Sequence, residues 1–137
     1  MKITDFNKED QQKITLALQE FSAAAKFEQT LERLFNGWCQ LAISVEEGYK
    51  LSIFDYTNDL SERFLLQEIK IQLTKGGQDL FDLSLRPHDE HFKSVTKKTR
   101  KPIHGEYDES FWWYYRVPKV MPPDFEASVK FYEDLLI

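Results

Sequence analysis

The 137-residue sequence predicts an α+β protein: a long or paired amino-terminal helix, an antiparallel sheet of four to five strands, and a carboxy-terminal helix packed on that sheet. Three observations carry the prediction. Apolar residues recur at helical spacing through residue 35. The period then shortens to two over several runs joined by short turns. A Pro-Pro-Asp sequence opens a second helical stripe near the end. The length suits one domain spanning residues 1–137.

Thr4, Asp5 and Asn7 are candidate amino-terminal caps for the first helix. Ile14, Leu18, Phe21 and Ala25 form one stripe, and Phe27, Leu31, Leu34 and Phe35 a second, slightly rotated one. The segment is one long bent helix or two helices broken near Ala25-Lys26. Asn36-Gly37 then reads as a helix stop.

From Trp38 the period is two. Cys39, Leu41, Ile43 and Val45 alternate with Trp38, Gln40, Ala42 and Ser44. Glu46-Glu47-Gly48 reads as a turn and residues 49–56 as the returning strand, which makes a hairpin. Residues 57–75 admit two readings. Thr57, Asn58 and Asp59 would cap a helix running to Leu73, whereas Leu65, Ile69, Ile71 and Leu73 fit a strand. The Gly76-Gly77 pair, followed by the alternating Phe81, Leu83 and Leu85, favours a second hairpin.

Pro87 suits the first turn of a short helix reaching about Lys98. Residues 99–110, polar and containing Pro102 and Gly105, read as a loop. Phe111-Trp112-Trp113-Tyr114-Tyr115-Arg116 follows as a fifth strand, with Phe111, Trp113 and Tyr115 on one face and Trp112, Tyr114 and Arg116 on the other. Pro122-Pro123-Asp124 opens the last helix, whose stripe is Phe125, Val129, Tyr132 and Leu136.

Composition bounds function. The single cysteine, Cys39, excludes an internal disulfide and fits a reducing compartment. As a residue on the apolar face of a strand, it is expected to be a buried, inert thiol. No apolar run approaches the roughly 20 residues of a membrane span, and the amino terminus lacks an apolar signal core. A cytoplasmic protein without membrane contact is expected. The net charge is −5, distributed unevenly. Residues 93–101 hold Lys93, Lys97, Lys98, Arg100 and Lys101 with no acid, so the rest of the chain carries a net −10. An acidic body disfavours nucleic acid and favours basic protein partners. The basic run itself is expected to be a solvated helix end and loop.

Aromatic and Arg side chains dominate the energetics of protein interfaces. Trp112, Tyr114 and Arg116 are therefore the candidate partner-binding residues if the aromatic strand lies at a sheet edge. In a central strand the same residues would be core. Stacking on nucleic-acid bases is a third use of such a strand. His88-Asp89-Glu90-His91, with His104 further on, holds metal-ligand chemistry but no recognised spacing, and reads as a polar helix start. No phosphate-binding glycine loop and no G-x-S-x-G elbow is present, and no cofactor is expected.

Asp55 followed by Glu68-Ile69-Lys70 carries the enzymatic alternative. An Asp and a Glu on adjacent strands can ligate a divalent metal through oxygen, with a Lys beside the attacked phosphate. This stretch resembles the PD-(D/E)xK nucleases. That resemblance implies a metal-dependent phosphodiesterase in which Asp55, Glu68 and Lys70 are catalytic, and Glu28 or Glu32 would supply a further ligand. The leading reading remains a small acidic protein-binding domain without catalysis. Its concrete form is an immunity- or antitoxin-like inhibitor that occupies the basic active site of a nuclease-type partner.

Overall fold

The computed structural model describes residues 1–103 and 105–131, with side chains as far as Val129. Within them the chain is helical rather than α+β. The helices are α1 (Lys8–Ala25), α2 (Leu31–Glu46), α3 (Ile53–Lys70), α4 (Lys75–Val95) and α5 (Pro123–Phe131). The sheet among the described residues is a two-stranded ribbon of β1 (Thr96–Lys98) and β2 (Arg116–Pro118), antiparallel with Lys97 opposite Val117. The expected four- to five-stranded sheet is not present, and α5 packs on α3 instead of on a sheet.

Each correction has a local cause. In α2 the residues read as a strand bury Trp38, Leu41, Ala42 and Val45, which continue the spacing of Leu31 and Leu34. Both periods fit this run, and the expected stop at Asn36-Gly37 divided it artificially. Gly37 lies inside the helix because a Cβ there would stand 2.9 Å from Cδ of Glu62 on α3. In α3 the buried positions are Ile53, Tyr56, Leu60, Arg63, Leu66 and Ile69. Their three- and four-residue steps pass through an arginine, which hid the stripe from a hydropathy reading.

Gly76-Gly77 makes no hairpin. It forms the first turn of α4, where Thr74 caps the helix and its Oγ1 accepts from the Gly77 amide. The same Thr74 donates through its amide (2.9 Å) and hydroxyl (2.6 Å) to the buried Asp10 carboxylate of α1. Pro87 does not open a helix but lies inside α4. At the amino end, Asn7 caps α1, and the helix breaks at Lys26, whose φ of 62° is left-handed. The break between the two amino-terminal stripes is thus real.

The core is continuous between α2, α3 and α4, and it is closed by residues from the last quarter of the chain. Trp113, Val117, Phe125 and Val129 are all buried. Tyr49, Tyr56 and Phe125 form a triad of edge-on rings, 5.3–5.8 Å between centroids, that ties α5 to α3. Tyr132 and Leu136 of the expected final stripe lie outside the described residues, as does His104. No helix among the described residues is long and apolar enough to cross a membrane.

Candidate binding surfaces

The aromatic run is not a strand. Trp112–Tyr115 is a single 3-10 turn, so the expected two-faced alternation does not occur. The turn drives Trp113 and Tyr114 into the core and leaves Trp112 and Tyr115 half-buried. Tyr114 stacks flat on Tyr107, with centroids 4.0 Å apart. Burial, together with the Tyr107 ring beside it, pushes the Tyr114 phenol well above its ordinary pKa. Trp112 sits against Trp38, Phe92 and Trp113. Of the three expected partner-binding residues, Tyr114 is core, while Trp112 and Arg116 share a surface cleft.

Beneath the turn is a polar centre that the sequence did not reveal. Arg63, 4% exposed, donates from Nε and Nη2 to the two carboxylate oxygens of Asp89, at 3.0 and 3.1 Å. Its third arm reaches Gln67. The Trp38 indole N–H donates to Asp89 Oδ1 at 2.9 Å, and the Trp113 ring lies under the guanidinium at 4.6 Å. A buried cation is tolerable when it is paired in a two-pronged geometry with its remaining protons satisfied. This network joins α2, α3, α4 and the aromatic turn, and it is internal rather than presented to a ligand.

The nuclease-like residues do not converge. Asp55 and Glu68 lie on the same helix, 13 residues or about 20 Å apart along its axis. Asp55 closes a capping box with Ser52, and Lys70 Nζ lies 2.5 Å from Asp82 on α4. Glu28 precedes α2 and Glu32 is in its first turn. His91 pairs with Glu46 at 3.0 Å, and Asp89 is taken by Arg63. No group of three metal-ligating side chains assembles among the described residues. Cys39 is half-buried on a helix rather than enclosed on a strand.

Two surfaces remain. The first is the edge of α3, where Asp55, Asp59 and Glu62 follow one another at i, i+4 and i+7. Burial raises the Asp59 pKa, and the neighbouring Asp55 charge raises it further; a hydrogen bond from the Tyr49 hydroxyl (2.6 Å) opposes both. Burial also raises the Glu62 pKa, with repulsion from Asp59 added and Arg33 opposing. Phe54, which precedes Asp55 in the chain, is 80% exposed, and Leu51 before it is 57% exposed.

The second surface is a cleft of about 520 Å³ beside the ribbon, lined by Lys93, Lys98, Arg100, Arg116, Trp112 and Tyr115, and by one acid, Glu109. The Lys93 ammonium rests over the Trp112 ring at 4.6 Å. Arg116 is a fixed wall. Its Nε donates to Thr96 Oγ1 (2.7 Å) and its Nη2 to the carbonyls of Lys93 and Thr96, and burial lowers its pKa. The basic run was visible in the sequence. Its convergence with the aromatic turn was not, because it depends on the pairing of β1 with β2.

Compared with family models, with characterised proteins and with solved structures, this chain matches none.

Proposed function

We propose that the protein is a non-catalytic binding domain that engages a basic protein partner through the acidic edge of α3. One observation carries the reading: an aromatic side chain 80% exposed to water, Phe54, immediately precedes Asp55, the first of three acids on α3 whose half-buried members Asp59 and Glu62 also feel a neighbouring acid's repulsion. A partner bearing lysines and arginines would relieve that repulsion, while Phe54 and Leu51 would supply apolar anchors. The acidic balance of the chain would steer such a partner into contact. The specific form of the proposal is an inhibitor that covers the basic active site of a nuclease-type enzyme, in a cytoplasm where the lone thiol stays reduced.

The test is capture with the immobilised protein along a salt gradient, with wild type compared against Phe54→Ala and the double variant Asp59→Asn/Glu62→Gln. The expected result is a basic protein retained by wild type, released as salt rises, and lost from both variants. Retention that ignores salt, or that both variants preserve, overturns the proposal.

A further inference from the structure

Some cations of this molecule are paired one by one with acids or rings: Lys13 with Glu9, Arg63 with Asp89, Lys70 with Asp82, Lys75 with Asp79, and Arg33 with the face of Phe27. The cleft beside the β1–β2 ribbon instead gathers four basic side chains, Lys93, Lys98, Arg100 and Arg116, around Trp112 and Tyr115. Lys98 and Arg100 line it and have no anionic partner among the described residues, in a chain where acids outnumber bases 23 to 18. Four like charges against one acid, Glu109, give the cleft a positive potential that favours an anion there.

We propose that this cleft binds a phosphorylated small molecule of nucleotide size, with Lys98 and Arg100 meeting the phosphate. Phosphate is favoured because a guanidinium offers a two-pronged set of donors and a lysine a compact charge, a pairing suited to a tetrahedral oxyanion. The volume of about 520 Å³ exceeds what a bare anion fills and falls in the range of small-molecule sites. Trp112 and Tyr115 supply apolar walls for the organic part. Lys93 lies over one face of the Trp112 ring, which leaves its margin to the ligand, and the Tyr115 hydroxyl is taken by the Tyr107 carbonyl. Glu109 accepts hydrogen bonds from hydroxyl or amino groups and repels a second run of negative charge. That acid, and the acidic body behind it, select a compact ligand over a polyanion. The inference is independent of the acidic edge of α3, since it uses no residue of that surface.

The experiment titrates the full chain with ADP, with pyrophosphate and with inorganic phosphate, read by tryptophan fluorescence and calorimetry. ADP is expected to bind saturably at one site and more tightly than inorganic phosphate. Lys98→Ala and Arg100→Ala, both at exposed positions, should each weaken it about tenfold with unchanged circular dichroism. Lys97→Ala, outside the cleft, should leave it unchanged. No saturable binding of any of the three ligands overturns the proposal, as does an equal loss with Lys97→Ala. Tighter binding of an oligo-dT strand or of a glutamate-rich peptide at 0.15 M salt also overturns it, in favour of a polyanion surface.

Discussion

Adjacent glycines in the first turn of α4 have opposite roles. A Cβ on Gly77 would press on the Asp10 carboxylate, coming within 3.0 Å of its Cγ and of Leu73 Cβ, whereas a Cβ on Gly76 would meet nothing within 4 Å. Asp10 cannot yield, because Thr74 holds both of its oxygens. Gly77→Ala is therefore expected to cost about 3 kcal/mol, the scale of disturbing a buried polar contact. Gly76→Ala should add about 0.5–1 kcal/mol through helix propensity alone. Urea denaturation of the two variants checks the contrast, and equal effects would refute the Asp10 contact. Glu62 offers a second residue-level test. Its raised pKa means that the folded state holds the proton more tightly than the unfolded state, so its contribution to stability falls as pH rises through that pKa. Glu62→Gln should stabilise the protein at pH 7 by a few tenths of a kcal/mol, given the solvent screening of a half-buried group. The gain should shrink as pH falls through the carboxylate range, because the folded wild-type carboxyl takes up its proton before an ordinary glutamate does.

Among the elements, the helices with conventional signals were legible. Asn7, one of three candidate caps, the break at Lys26, one of two readings of that segment, and the opening of α5 at Pro123 all stand at positions the sequence marked. Three helices, α2, α3 and α4, were not legible, and each was hidden by a tertiary contact. Gly37 answers to Glu62, Arg63 to Asp89, and Gly77 to Asp10. Each places an atypical residue inside a helix for a reason that exists only after packing. The candidate surfaces divide in the same way. The basic run was readable as charge, and the acidic edge became visible only once residues 53–70 were one helix. Pro87 interrupts the hydrogen-bond ladder of α4 at Leu83, which is 65% exposed and so leaves its carbonyl near water. Pro87→Ala is expected to stabilise α4 by about 1 kcal/mol or more, measured as a higher denaturation midpoint. No gain would show that the proline ring is itself part of the packing of α4.

At the scale of the whole molecule, the buried tyrosines set an alkaline limit. Tyr49, Tyr56 and Tyr114 are each 3% exposed or less, and burial raises all three pKa values above the ordinary 10. Unfolding frees these phenols to ionise, so their contribution is intact below about pH 10 and is lost as pH rises beyond it. Stability measured by urea at pH 8, 9, 10 and 11 should be level at first and then fall steeply. Tyr56→Phe should blunt the fall while costing about 1 kcal/mol at pH 8 for the hydroxyl's 2.7 Å bond to the Arg116 carbonyl. A flat profile to pH 11 would contradict the burial of the three rings.

That bond from Tyr56 to Arg116 spans 60 positions, and Trp113 comes to rest on Arg63 from almost as far away in the chain. The consequence is one of timing during synthesis. A nascent chain that has released α1 to α4 still lacks the indole and the ribbon strand that seal its centre, and it presents Arg63 and Phe64 to water. The final quarter acts as a keystone, so a ribosome that stalls before residue 113 leaves an unclosed arch for chaperones and proteases to find.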